Sequence, residues 1–395
     1  MRIGIDCRTI LSPGYGERAG VGHYTYFLVK NLLRIDAENT YVLFFDDRIT
    51  DAAIRAHTAG APNVEVVRFP FHEYRHALPV VYSHLLLSAF VAKQRPDVFH
   101  LPAGTMPAAY RGRTVVTVHD LAIYHHPEWF PKQALSTKVL YPKTVRSATR
   151  IIAVSDATRE DAEKRFRIPA ARIRTIYPGV DVRGSSIFSE DILSEDDSAD
   201  SAEVRARHRL DKPYILFLGT LEPRKNISGL VRAFLTLWMK DPRAREFDLI
   251  IAGARGWKEG ETVRTVESAR RLTRGAVRWI GYIPHREKFT LMRQAAVFCF
   301  PTFFEGFGMP VLEALALGVP VITSDIPVLR EVAGPAAMYV PPGSEDEMAH
   351  VLSDLLHNES RRDVLRGMGL KRAAHFSWEK ASRETLDVYR AAVRG

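Results

Sequence analysis

The sequence predicts an α/β protein built from two doubly wound, Rossmann-like domains, each a parallel sheet with helices on both faces. Three observations carry that expectation. Apolar runs of strand length, such as TYVLFF, DVFHLP, YILFLG and AVFCFPT, are unbroken rather than alternating, as strands buried on both faces require. Helical patterns separate most of them, a rhythm that builds parallel sheets through crossover helices. The 395 residues also exceed the roughly 250 to 300 at which a single core stops growing. The expected divisions are a first domain over residues 1–183, an acidic linker over 184–208, a second domain over 209–375 and a terminal helix over 376–395.

In the first domain, MRIGIDCRTI opens as a strand. A glycine-rich stretch, residues 14–22, then leads into an amphipathic helix with Phe27, Leu28, Leu32 and Leu33 inward. A glycine loop between the first strand and first helix is where a doubly wound sheet meets phosphate or an acceptor, which singles out Gly20, Val21 and Gly22. VEVVRF, TVVTVHD, RIIAVS and RIRTIYP continue the sheet. Because ligands of open parallel sheets gather beyond the carboxyl ends of strands, His119 and Asp120 in TVHDL are candidates, although a histidine bonded to nearby backbone would read the same way. His125 and His126 have no metal-ligand partners at helical spacing and read as loop or acceptor-cleft residues.

Residues 184–203 hold seven acidic residues and no lysine or arginine, the composition of a solvated linker that is dispensable for chemistry. The second domain opens at YILFLGTLEPRKN as strand, turn and helix. Arg224 and Lys225 fall in the turn, where they could neutralise a diphosphate, arginine as a fork and lysine as a point charge. FDLIIAG, VRWIGYI, VPVITS and AMYVPP supply further strands, with Tyr282 and Ile283 at a strand end.

Residues 296–324 read as strand, loop, helix and strand. The loop glycines Gly306 and Gly308 allow positive φ or close approach, Pro310 suits a first helical turn, and Gly318 suits a helix end. Such a helix start favours phosphate. Glu305 in the loop and Glu313 one turn into the helix would repel phosphate on contact, so from the residues alone they are either acceptors of hydrogen bonds from hydroxyl groups beside it or simply a loop residue and a solvated helix residue. The last segment, FSWEKASRETLDVYRAAV, places Trp378, Ala381, Thr385, Val388 and Tyr389 on one helix face with Ser377 as N-cap.

Composition excludes several classes. Hydrophobic content of 46% and charged content of 26% fit a globular protein, and no apolar run reaches the ~18 residues of a membrane span, so cytosol is the expectation. Cys7 and Cys299 sit in strand patterns and are expected to be reduced, buried thiols. The net charge of +9 suits phosphorylated substrates or an anionic membrane surface; no nucleic-acid motif is present.

The string FFEGFGMPVLEALALGVPVITSDIPVLREVAG, residues 303–334, resembles the retaining glycosyltransferases of the GT-B fold, specifically glycosyltransferase family 4. That resemblance covers nearly the whole chain. It implies a GT-B architecture with the site in the cleft between the two domains and the terminal helix crossing back to the first. It places Glu305 on the donor sugar, Glu313 on the ribose, and Gly306, Phe307, Gly308, Met309, Val311 and Leu312 around the donor. Gly219, Arg224 and Lys225 would face the diphosphate, Tyr282 and Ile283 the base, and His119 the sugar. Many members carry an arginine directly after the glycine where this chain has Thr220, leaving that contact to Arg224.

The implied co-substrate is a nucleotide-diphosphate sugar, with no cofactor and no metal. The implied acceptor is a saccharide or lipid-linked saccharide, with peripheral contact to an anionic membrane. DCRTI, GVGHYT, TVHDLAIYHHPEWF and GTLEPRKN look most like mannosyltransferases of surface polysaccharide synthesis, which favours GDP-mannose. A UDP-sugar glucosyl or N-acetylglucosaminyl transferase, an epimerase of the same fold and a glycan-binding protein are the alternatives. A glycosidase is disfavoured, because its two carboxylates flank one bond from opposite sides, whereas Glu305 and Glu313 share one helix end.

Overall fold

The computed structural model describes residues 1–11, 20–69, 80–103, 107, 109–131, 136–182 and 201–395. Most of the glycine-rich stretch 14–22 and of the acidic stretch 184–203 lies outside the described residues. Two sheets are present, and every strand pairing in them is parallel. The first holds β1 (Arg2–Asp6), β2 (Thr40–Asp46), β3 (Val64–Phe69), β4 (Val98–Leu101), β5 (Thr114–Val118), β6 (Arg150–Ala153) and β7 (Ile173–Thr175) in the order β3-β2-β1-β4-β5-β6-β7. The second holds β8 (Tyr214–Leu218), β9 (Asp248–Ala252), β10 (Val277–Gly281), β11 (Val297–Phe300), β12 (Val321–Ser324) and β13 (Ala337–Val340) in the order β10-β9-β8-β11-β12-β13.

In each sheet the winding reverses once, between β1 and β4 and between β8 and β11. At such a point neighbouring strands send their following loops apart and leave a crevice beyond their carboxyl ends. Most central strands are buried along most of their length, β5 and β9 at every residue, whereas the edge strands β3, β7 and β10 each bury one residue. The α/β class with two doubly wound sheets is thus the architecture the apolar runs anticipate. Cys7 and Cys299 are both free and buried, and burial pushes both thiols up.

The described residues form two compact units. One comprises Met1–Leu121, Lys132–Gly179 and Ser377–Gly395; the other comprises Ala122–Pro131 and Val180–Phe376. The C-terminal helix Trp378–Arg394 starts where Ser377 Oγ accepts from the Lys380 amide at 3.4 Å. Trp378, Ala381, Thr385, Val388 and Tyr389 are all buried, and the helix lies against the Gly20–Ile35 helix, where Trp378 stacks on Phe27 with centroids 5.5 Å apart. Phe27, Leu28 and Leu32 are buried and Leu33 is half-buried.

Three expectations need correction. Helix Gly20–Ile35 begins at Gly20, so Gly20, Val21 and Gly22 are its first turn rather than the end of a loop. Residues 201–208 are not spacer: Ser201–Arg207 is a helix with Val204 buried, and His208 Nε2 lies 2.8 Å from Glu287. The apolar Val204 and the basic Arg207 and His208, both paired with Glu287, give this end of the acidic stretch something to dock with. Segment Ala122–Pro131, expected in the first domain, belongs to the second unit. There Trp129 stacks on Phe303 with centroids 6.0 Å apart, and Trp257 Nε1 donates to the Trp129 carbonyl at 2.8 Å.

His57 is buried against Tyr26, ring centroids 4.3 Å apart, and neither of its nitrogens has a partner among the described residues. Burial, helped by the charge of Lys30, lowers its pKa to about 3. A folded-state pKa below the ordinary value near 6.5 means that the unfolded chain binds more protons between those limits. Stability is therefore lost as pH falls from about 6.5 toward 3, at about 1.4 kcal/mol per pH unit for this group. His57→Phe keeps a ring and loses no hydrogen bond, so in urea titrations across that window the variant should gain on the wild type as pH drops.

Candidate active site

In the second unit, residues 219–226 leave β8 and residues 301–308 leave β11, the two strands at the reversal. The backbone ties these loops together. The Phe303 amide donates to the Arg224 carbonyl at 2.7 Å, and the Thr302 hydroxyl lies 3.0 Å from that carbonyl, 3.1 Å from the Phe304 carbonyl and 3.0 Å from Glu305 Oε1. Pro223–Lys225 forms one 3₁₀ turn, closed by Asn226 in the left-handed region at φ 51°. That turn points Arg224 and Lys225 at the second loop.

Glu305 Oε1 lies 2.5 Å from Lys225 Nζ and 3.2 Å from Arg224 Nη1. The side chains of Lys225 and Glu305 are each 9% exposed. Burial by itself would raise the Glu305 carboxyl, but Lys225 and Arg224 outweigh it and hold the group below the usual carboxylate range. Lys225 is held below the ordinary lysine range by burial and by its neighbour Arg224, against the pull of Glu305 and Glu222. Arg224 Nε also reaches Glu222 at 2.8 Å, and Lys225 Nζ sits 4.7 Å from the centroid of the Phe300 ring. The result is a cluster of two cations and two carboxylates at the carboxyl ends of two adjacent strands.

Helix Met309–Ala316 begins at the same loop. Gly308 adopts φ 93°, and a Cβ there would lie 2.6 Å from Leu329 Cδ2, so both conformation and space demand glycine. Pro310 stands in the first turn, and Gly318 at φ 68° follows the last. Val311 and Leu312 have their side chains in the core, and their amides turn back to the Gly308 carbonyl at 3.0 and 3.3 Å. Phe307 is buried edge-on to Phe376, with centroids 5.8 Å apart. Glu313 is enclosed and paired with Lys288, Oε1 to Nζ at 2.5 Å. Gly219 follows β8, its amide donating to the Ala252 carbonyl at 2.9 Å. Tyr282, 48% exposed, and the buried Ile283 come directly after β10.

The structure thus brings Arg224, Lys225 and Glu305 together and sets Glu313 one helical turn away on a separate cation. Lys288, Thr302 and Glu222 were missed. Lys288 lies 25 residues before Glu313 in the chain, and only the sheet order makes them neighbours. His125 stacks on Phe304 at 5.6 Å and His126 on Trp129 at 3.8 Å, so both join the aromatic lining just before Glu305.

His119 belongs to the first unit, just past β5. Its Nε2 lies 2.6 Å from the Pro102 carbonyl, and Tyr24 meets its ring edge-on at 4.9 Å. A carbonyl only accepts, so Nε2 carries the proton. Burial lowers the ring's pKa, opposed by the Pro102 bond and by Asp120, and in the neutral tautomer so fixed Nδ1 is an acceptor. Beneath it His100 bridges Tyr389 Oη at 2.7 Å and Thr117 Oγ1 at 2.9 Å.

Two sheets wound in this way define a GT-B protein, and solved structures agree. The chain superposes on a sucrose-phosphate synthase from Thermosynechococcus elongatus with TM-score 0.73 at 19% identity, covering 99% of this chain and 98% of that one. It superposes on Anabaena Alr3699/HepE in complex with UDP and glucose with TM-score 0.71 at 16% identity, covering 99% and 100%. Residues 18–183 match the family described as Glycosyltransferase Family 4, and residues 200–372 match Glycosyl transferases group 1. The chain is 32% identical over 384 residues to O-antigen chain mannosyltransferase B of Escherichia coli, covering 94% of this chain and 96% of that protein. It is 28% identical over 354 residues to a D-inositol 3-phosphate glycosyltransferase of Salinispora tropica, covering 86% and 68%. The chain belongs to glycosyltransferase family 4 and is a hexosyltransferase.

Gly308→Ala should lower stability by about 1–2 kcal/mol from its backbone conformation alone, with more from the Leu329 contact. Urea unfolding checks this: an unchanged midpoint would show that neither constraint operates.

Proposed function

We propose that this enzyme transfers mannose from GDP-mannose to a saccharide or lipid-linked saccharide acceptor of surface polysaccharide, with retention of anomeric configuration. The observation that carries the reading is the Lys225–Glu305–Arg224 cluster at the strand reversal. Breaking an anomeric C–O bond leaves negative charge on the departing diphosphate. Lys225 and Arg224 supply fixed positive charge to receive it, and the start of helix Met309–Ala316 adds a favourable dipole. Glu305, ionised between them, accepts from donor-sugar hydroxyls, and Glu313 accepts from the ribose. The acceptor oxygen attacks the anomeric carbon on the face the diphosphate leaves, and its proton passes to the departing phosphate oxygen. The reading asks for no cofactor or metal, so EDTA should leave turnover unchanged. The net charge of +9 suits peripheral contact with an anionic membrane that carries such an acceptor.

Mannose and polysaccharide synthesis are favoured by the Escherichia coli relative, an O-antigen chain mannosyltransferase. A second reading, glucosyl transfer from a UDP-sugar, is favoured by the Anabaena neighbour solved with UDP-glucose.

Glu305→Gln preserves shape and removes the charge, so kcat should fall about 100-fold with the fold intact. Unchanged kcat would remove Glu305 from the reaction. Lys225→Ala should weaken both nucleoside diphosphate binding and turnover, and it should also destabilise by about 3–5 kcal/mol because Glu305 loses its nearest buried partner. Wild-type affinity for GDP in that variant would show that Lys225 does not meet the diphosphate. A competition assay separates the donors: kcat/KM for UDP-glucose or UDP-N-acetylglucosamine well above that for GDP-mannose overturns the mannosyl assignment and leaves glycosyl transfer standing.

A further inference from the structure

The Glu313 carboxylate is 1% exposed and unevenly satisfied. Oε1 lies 2.5 Å from Lys288 Nζ, while Oε2 is buried with no hydrogen-bond partner among the described residues. A buried carboxylate oxygen left unbonded is costly, and native structures retain such groups where something else completes them. Lys288 is itself held in place. It sits in the first turn of helix His285–Arg293, its amide 3.1 Å from the Pro284 carbonyl, with its ammonium 5.1 Å from the centroid of the Phe289 ring. The preceding residue, Glu287, is buried and bonded to His208 and Arg207, which anchors that turn from its other side. The lysine therefore arrives at Glu313 from a fixed backbone and occupies only one of the two carboxylate oxygens.

We propose that Lys288 is a positioning residue that sets ribose specificity. By engaging Oε1 it fixes the rotation of the Glu313 carboxylate and presents Oε2 to a ribose hydroxyl of the donor nucleotide. The inference rests on the nucleotide-sugar donor proposed above. Without Lys288 the carboxylate loses the one cation paired with it among the described residues, and its second oxygen is no longer held toward one hydroxyl. Lys288 then acts on the sugar of the nucleotide and on neither its phosphates nor its base.

The test compares the full-length wild type with Lys288→Met and Lys288→Arg by calorimetric binding of GDP, 2′-deoxy-GDP, 2′,3′-dideoxy-GDP and inorganic pyrophosphate. Wild type should prefer GDP to the dideoxy form by about tenfold or more, the loss expected when a charged acceptor loses its hydroxyl donor. In Lys288→Met that preference should shrink to about twofold, through weaker GDP binding, while pyrophosphate affinity stays unchanged; Lys288→Arg should restore it. The unchanged pyrophosphate affinity also certifies that the variant is folded. A Lys288→Met protein that keeps the full preference overturns the role of Lys288. Loss of pyrophosphate affinity along with GDP affinity would mean general disruption of the site, and would overturn it too. A wild type that binds GDP and the dideoxy form equally removes the ribose from Glu313 altogether, a failure of the underlying reading that is distinct from one confined to Lys288.

Discussion

The second unit turns on one buried electrostatic contact, Lys225 against Glu305. Each charge alone would be expensive in so enclosed a place, and neither comes from a regular element: Lys225 ends a 3₁₀ turn and Glu305 sits in an open loop. Joining them stitches the loop after β8 to the loop after β11 across the point where the sheet reverses; the Phe303 amide and the Thr302 hydroxyl repeat the stitch on the Arg224 carbonyl. A buried pair of this kind contributes little net stability over a hydrophobic replacement. Its value lies in geometry, because both loops must be in place before either charge is satisfied.

The neighbouring pair, Glu313 with Lys288, obeys the same rule with a different outcome. Glu305 shares one oxygen among Lys225, Arg224 and the Thr302 hydroxyl, which fixes its charge as well as its direction. Among the described residues Glu313 has a single cation, on one oxygen. The glutamates are eight positions apart, yet the fold sets two cations and a hydroxyl on one oxygen of Glu305 and a lysine on one oxygen of Glu313.

Much of this was legible in the residues. All thirteen segments read as strands are strands; the central ones are buried on both faces and leave a continuous apolar signature, while edge strands such as β3 and β10 were found through their β-branched and aromatic residues. Gly308, Pro310 and Gly318 marked the ends of the Met309–Ala316 helix, since backbone conformation restricts those positions to few residue types. Lys225 and Glu305 were each visible as chemistry in a loop; their contact was not, because it depends on β8 and β11 being sheet neighbours 80 residues apart in sequence. Lys288 stayed hidden for the same reason, inside a helix where a lysine reads as a solvated face. The start of helix Gly20–Ile35 was misplaced because Gly20 and Gly22 weigh toward loop, a local propensity that packing of the buried Phe27 and Leu28 overrides. Residues 122–131 were given to the wrong unit, since sequence continuity cannot register Trp129 stacking on Phe303.

The two units also solve the problem of buried polarity in opposite ways. The second unit uses ions: four of its charged side chains, Glu222, Arg224, Lys225 and Glu305, meet within one loop pair. Beside Asp120, the first unit fills the end of β5 with uncharged polar groups. Burial lowers His100 to about 3 and raises Tyr24 to about 12, and the chain from Tyr389 through His100 and Thr117 to Tyr24 passes hydrogen bonds with no formal charge. His119 sits on this chain through the Tyr24 ring, with its own ionisation lowered by burial. A neutral imidazole whose remaining nitrogen is an acceptor has nothing to offer a phosphate and everything to offer a hydroxyl. A phosphate would instead favour the protonated ring, which burial opposes. The end of β5 therefore offers a neutral acceptor in His119, while the positive charge of the second unit is concentrated in the turn after β8.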